Sequence, residues 1–136
     1  MIVVDTGPVV ALVNDRDDHQ ERCRDFLETH PGPLLLPATV LTEVCLLLER
    51  RRGTQAELAF LADVRAGRVR LVDDLEPDLD RIAELVERYA DLPLGTVDAS
   101  VVALTERLEL REVATLDHRD FSVVRSRHMA ALTLLP

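Results

Sequence analysis

Asp5, Glu43, Asp98 and Asp117 are four acids far apart in the chain whose local settings would let them meet. Asp5 closes the apolar run Ile2-Val3-Val4, and Asp117 follows the run that ends Ala114-Thr115-Leu116. Glu43 lies about one turn into a helical pattern after the run Leu34 to Leu36, and Asp98 falls in the first turn of another, opened by Gly95-Thr96. Such a set offers only oxygen donors, which suits a hard divalent cation such as Mg²⁺ that keeps several waters and takes one or two carboxylates directly. Four acids could hold one ion, or two a few ångströms apart in the arrangement used for phosphoryl transfer. Each acid also has an ordinary explanation. Asp5 could form an Asx turn in Asp-Thr-Gly-Pro, Glu43 could be a solvated helix acid, Asp98 could complement a helix dipole, and Asp117 or Asp120 could cap the short helix that Phe121 begins.

Positioning these acids requires strands that end beside one another. Short apolar runs alternate with longer segments of helical period, the pattern of an α/β protein with a parallel sheet. The runs are Ile2 to Val4, Leu34 to Leu36, Val69 to Val72, Glu112 to Thr115 and Ala131 to Leu134, giving about five strands. Helices are expected over residues 19–29 and 39–52, then over 55–66 with Thr54 and Glu57 at capping-box spacing after Gly53. Two amphipathic helices follow, one facing inward through Leu79, Ile82, Leu85, Val86 and Tyr89, the other through Val97, Val101, Leu104 and Leu108. In an open parallel sheet ligands bind beyond the carboxyl ends of the strands, where strand order reverses. Asp5 and Asp117 stand at such ends. Thr115, two residues before Asp117, shares its side of the strand and could bond a ligand there, or be an ordinary β-branched strand residue.

The 136 residues suit one domain, and no linker, repeat or low-complexity tract divides them. The N-terminus reads as a buried strand and not a signal peptide, and no apolar stretch is long enough for a membrane span, so a cytoplasmic protein is expected. Cys23 and Cys45 form no C-x-x-C pair and read as packed, reduced thiols. The net charge of −9 opposes a passive nucleic-acid binder, which gains affinity by releasing counterions with basic residues. If nucleic acid is the substrate, positive charge must come from elsewhere. All sixteen basic residues are Arg. The run Arg50-Arg51-Arg52 reads as a dipole-complementing helix end or, with Arg119, as an RNA backbone contact. Of His19, His30, His118 and His128, only His118 adjoins a proposed site residue, and it reads as a surface side chain.

Taken in order, Val-Val-Asp5-Thr-Gly-Pro, Thr42-Glu43-Val, Leu92-Pro-Leu-Gly-Thr-Val-Asp98-Ala-Ser and Ala-Thr115-Leu-Asp117-His-Arg-Asp-Phe121 resemble the acidic signature of PIN-domain proteins across nearly the whole chain. The length and the run Asp91-Leu-Pro-Leu-Gly are similar to the branch of VapC toxins. The resemblance implies a single PIN domain over residues 1–136, with a flavodoxin-like three-layer α/β/α fold around a parallel sheet of about five strands. It implies an endoribonuclease dependent on Mg²⁺ or Mn²⁺, a homodimer, and inhibition by a small cognate VapB-like antitoxin. In the resembling toxins the region of Leu46, Leu47, Leu58, Phe60 and Leu61 helps form the antitoxin groove. By motif, Asp5, Glu43, Asp98 and Asp117 are the metal-binding and catalytic acids, and Asp120 matches a more variable position. Other readings are a PIN nuclease acting on other RNA or on DNA, and a PIN-like binding module that does not cut. A phosphoacceptor domain would need an acidic pair after the first strand and a Lys, where this chain has Asp5-Thr6 and no Lys.

Overall fold

The structure, a computed structural model, describes residues 1–136. Five strands, β1 (Ile2–Val4), β2 (Leu34–Pro37), β3 (Arg70–Val72), β4 (Glu112–Ala114) and β5 (Thr133–Leu135), form one sheet in the order β3-β2-β1-β4-β5. Every pairing is parallel. The strands are short and the central one is wholly apolar, because a strand covered on both faces has no polar side to show. Ile2, Val3 and Val4 are completely buried. Their register, with Val3 beside both Leu35 and Val113, makes β1 the axis of the molecule. From β1 the chain steps outward through β2 to β3, then returns to β4 on the other side. The order therefore reverses between β1 and β4, and right-handed crossovers of opposite sense place helices on both faces.

Seven helices fill the connections: α1 (Thr6–Val13), α2 (Gln20–Thr29), α3 (Ala38–Arg52), α4 (Thr54–Arg65), α5 (Leu79–Arg88), α6 (Thr96–Arg107) and α7 (His118–Val123). The sequence pattern showed no helix over residues 6–13, since Thr6-Gly7-Pro8 reads as a turn. Those residues instead begin α1: Pro8 occupies the first turn, where its missing N–H is no loss. Gly7 is required by proximity, because a Cβ there would stand 3.2 Å from the Leu116 Cβ. The expected capping box before α4 does not form. Thr54 is already helical, and Gly53, at φ 87°, both ends α3 and starts α4 without a side-chain cap. Helix α6 is less amphipathic than its spacing implied. Ala99 through Thr105 are all buried, because α3, α5 and the strands β1, β2 and β4 surround it. Leu79 and Leu108, expected to face inward, are exposed at 56% and 37%.

The far end of α6 is tied by ion pairs to α5 and the turn before it, and by a backbone hydrogen bond to the C-terminal segment. Glu106 accepts from the Nε and terminal nitrogen of Arg81, both at 2.9 Å, and from the backbone N–H of Arg127 at 3.0 Å. Arg107 donates to the buried Asp78 at 2.9 Å. Truncation at Glu106 strands a largely buried guanidinium whose remaining partner, Glu84, lies at the surface. Glu106→Ala is therefore expected to lower unfolding free energy by about 2–3 kcal/mol, with Glu106→Gln losing less, as read by urea denaturation. A loss under about 0.5 kcal/mol would show the pair to be energetically idle.

Candidate metal centre

At the point where strand order reverses, the backbone ladder runs one residue past β1 and β4. The N–H of Asp5 donates to the Ala114 carbonyl at 2.8 Å, and that of Thr115 to Leu135 at 2.7 Å. This pins the two residues side by side. The fully buried Thr115 hydroxyl donates to Asp5 Oδ2 at 2.8 Å and accepts from the Asp117 N–H at 3.0 Å. One hydroxyl thus orients an acid from each strand, the bonding role that the position of Thr115 in sequence allowed. Asp117 Oδ1 in turn accepts from the Asp120 N–H at 3.0 Å, capping α7. The capping explanation and membership of the acid cluster hold together for Asp117, because a carboxylate has a second oxygen.

Glu43 and Asp98 arrive from α3 and α6. The two helices are joined near their starts by a 2.6 Å bond between the hydroxyls of Thr39 and Ser100. Ser100 gives its own proton to the Val97 carbonyl, so Thr39 is the donor of that bond. Asp5, Glu43, Asp98 and Asp117 all line one open cleft of about 570 Å³. Two of them form a tight grouping with Asp120, beside the cleft: the ligand atoms of Asp98, Asp117 and Asp120 lie within 4.8 Å of one another. Asp120, ranked below the other four from sequence, therefore stands as close to Asp98 and Asp117 as any acid of the set. Two further residues of the cleft are Asp17 and Arg51. Asp17 lies in the α1–α2 loop with Oδ1 accepting from the His19 N–H at 2.8 Å, and no regularity of the sequence points to it. Arg51, one of the run read in the sequence as a helix end or an RNA contact, follows Glu43 and Leu47 at four-residue steps along α3. Arg52 points elsewhere, pairing with Asp15 at 2.8 Å, and Arg119 and His118 lie outside the cleft.

The acids strain one another. Burial, reinforced by the charges of Glu43 and Asp117, pushes the Asp5 pKa up to about 6, against the Thr115 hydrogen bond and the adjacent Thr6 backbone, which favour its ionised form. Asp98 is pushed to about 7, by burial first and then by Asp5, Asp117, Glu43 and Asp120. Lost hydration and the neighbouring Asp117 also hold Asp120 above the ordinary range. Asp5 Oδ1 is buried without any hydrogen-bond partner. A carboxylate oxygen left this way, among all-oxygen donors that repel one another, fits a divalent cation, which would satisfy the oxygen and reverse the repulsion.

Residues 2–126 match the sequence profile of the PIN domain. The chain belongs to the PIN domain family. It is 27% identical over 135 residues to ribonuclease VapC26 of Mycobacterium tuberculosis, covering 99% of this chain and 100% of that protein. Its fold is similar to the crystal structure of Mycobacterium tuberculosis VapC20, described as a sarcin–ricin loop cleaving toxin, at TM-score 0.79 and 27% identity over 96% of this chain and 99% of that one. A toxin–antitoxin complex from Klebsiella pneumoniae matches at TM-score 0.68 and 18% identity, covering 91% and 92% of the two chains. The sheet order and the reversal point described above are thus those of a PIN domain. No helix of this PIN domain is long and apolar enough to cross a membrane. Cys23 and Cys45 are free, as expected.

The raised acids set a direction for stability. Asp5 and Asp98 titrate near 6 and 7 when folded against an ordinary value of 3.8, so between about pH 4 and 7 the folded chain binds more protons than the unfolded chain. Their contribution is fully present at the acid end of that window and is lost as pH rises through it. Without metal, Asp98→Asn is expected to stand closest to wild type near pH 4 and to melt higher by about 3–5 °C near pH 7.5, the change that about 1 kcal/mol makes in a domain of this size. Mn²⁺ should raise the wild-type Tm more than the variant's. Thermal melts in EDTA and in Mn²⁺ at both pH values decide it. A variant that melts well below wild type at pH 7.5 in EDTA would make Asp98 a support for α6.

Proposed function

We propose that this PIN domain is an endoribonuclease that hydrolyses RNA phosphodiester bonds at the acid cleft with Mg²⁺ or Mn²⁺ bound there, and that it is the toxin of a VapBC-type toxin–antitoxin pair. The observation that carries the first part is the buried, unpartnered oxygen of Asp5 among carboxylates brought together from α3, α6 and the ends of β1 and β4. The likeness to ribonuclease VapC26 over almost the whole of both chains supports the substrate class.

Asp5, Asp98 and Asp117 are the residues that would hold the ion, with Asp120 beside the last two. A bound divalent cation supplies neutralisation of the phosphate charge and a water acidic enough to attack at neutral pH. The remaining work belongs to the chain. Thr115 fixes the Asp5 carboxylate and, through the Asp117 N–H, the start of α7. Glu43, presented by α3, takes either an ion or the attacking water, and the Thr39–Ser100 bond keeps its helix in register with Asp98. Cleavage of a panel of structured and single-stranded RNAs is expected to require divalent metal and to stop in EDTA. Asp5→Asn, Glu43→Gln, Asp98→Asn and Asp117→Asn should each slow it at least about 100-fold, the loss of about 3 kcal/mol typical of a preorganised charge at a reacting centre. Full activity in EDTA would sink this mechanism.

The toxin part is supported by a second, apolar cleft of about 550 Å³ that includes Val9, Leu12, Leu27, Phe60 and Val64, with Arg24, Glu28, Asp63 and Arg68 among its lining. Nearby in the α3–α4 hairpin, Leu46, Leu58 and Leu61 are exposed, although Phe60 and, in part, Leu47 are absorbed by the core. A small VapB-like antitoxin laid into this cleft would cover them, and a homodimer is the proposed active assembly. Expression of the chain alone is expected to arrest a bacterial host, with relief by co-expression of the protein encoded beside it. If high expression of active enzyme leaves growth untouched and no neighbouring product binds it, the toxin reading fails while the nuclease reading stands.

A further inference from the structure

The acid cleft has one basic side chain in its lining, Arg51. Glu43, Leu47 and Arg51 succeed one another at four-residue intervals along α3, and all three line the cleft. Eight residues of helix separate Arg51 from Glu43 by on the order of 12 Å along the axis. The guanidinium is exposed and takes part in none of the ion pairs of the protein, although acids are more abundant than bases by nine charges. Its neighbour Arg52 is the one drawn to Asp15, and Asp17, across the cleft, is not within ion-pair distance of Arg51. Leaving a planar five-donor group unpaired at the lip of an anionic cleft gives up an easy local contact. It matches a doubly contacted phosphate better than any group present in the protein.

We propose that Arg51 holds a backbone phosphate of the RNA flanking the scissile one, and so sets where the strand lies relative to the acids. This rests on the ribonuclease reading above. At its distance from Glu43, Arg51 is a positioning residue for the strand, with no part in the proton transfers. It also answers the problem posed by the composition, since a chain of net charge −9 must gather its few strand contacts at the cleft itself.

The test measures cleavage of a fluorescent 12-nucleotide RNA pool of random sequence in Mn²⁺, at several salt concentrations, by wild type, Arg51→Ala, Arg51→Lys and Arg65→Ala, the last an exposed arginine at the end of α4 outside both clefts. Arg51→Ala is expected to raise KM about ten-fold with kcat within about two-fold. Its dependence of log KM on log salt should be shallower by about 0.7, the share of one phosphate on a single strand. Arg51→Lys should keep the slope and recover part of the KM, Arg65→Ala should behave as wild type, and all four proteins should melt alike. An unchanged KM and slope in Arg51→Ala overturns the proposal while leaving the nuclease intact. A fall in kcat with the slope preserved overturns it too, by making Arg51 a support of the acid cluster. A wild type that cuts no RNA under any of these conditions removes the ribonuclease reading itself, and the proposal with it.

Discussion

The bond from the Thr115 hydroxyl to Asp5 Oδ2 is the contact on which the site depends. It lies just past the carboxyl ends of the paired strands β1 and β4, where strand order reverses, and it is wholly buried. A carboxylate in that position loses most of its hydration, and one neutral hydrogen bond returns only part of it. The other oxygen has no partner at all. The protein accepts a buried, half-satisfied acid at the end of its central strand, and such local strain is a common mark of a site whose ligand completes it.

The acids are held by neutral groups. Thr115 orients Asp5, a backbone N–H engages Asp117, and the Thr39–Ser100 bond joins the helices that carry Glu43 and Asp98. No guanidinium pairs with these acids: Arg81 and Arg107 pair with Glu106 and Asp78 and Arg127 with Glu84, while Arg51 stays unpaired at the lip of the cleft. That division has an electrostatic consequence. An Arg among the acids would lower their pKa values and occupy the oxygens a cation needs, whereas hydroxyls fix geometry without neutralising charge. The pKa of about 7 at Asp98 is the result of burial first, and then of repulsion left uncompensated within the fold.

Much of this was legible in the sequence where one physical cause dominates. Ile2-Val3-Val4 could only be a buried strand, and a strand that ends in Asp places a carboxylate at the sheet edge. The four ordered acids followed from the same logic applied to β4, α3 and α6. Legibility failed where distant residues decide. Thr6-Gly7-Pro8 looks like a turn because the reason for Gly7 is Leu116, more than a hundred positions away. Helix α6 looks amphipathic because spacing cannot count the neighbours that bury it on every side. Asp17 is invisible because a loop has no periodicity, and it reaches the cleft only through the fold of α1 against α2. Asp120 ranked low from motif alone, and the helical turn capped by Asp117 is what turns it toward Asp98.

Because Asp117 serves both as a cap and as a member of the acid cluster, its two roles can be separated only by substitutions that respect the geometry. Asn presents the same acceptor to the Asp120 N–H and is an equally good cap, so it removes charge and little else. Ala removes both, costing about 1 kcal/mol of cap as well as the charge, and its effect on activity would mix a displaced α7 with an altered site. The same reasoning applies at Asp5. An Asn there can still accept from Thr115 through its carbonyl, but it sets an amide where the unpartnered oxygen now lies, exchanging a group that a cation would bind for one that a cation repels. A carboxylate that the fold uses twice is thereby distinguished from one that it uses once, and in this protein the distinction falls between Asp117, built into a helix start, and Asp98, whose charge the fold would be more stable without.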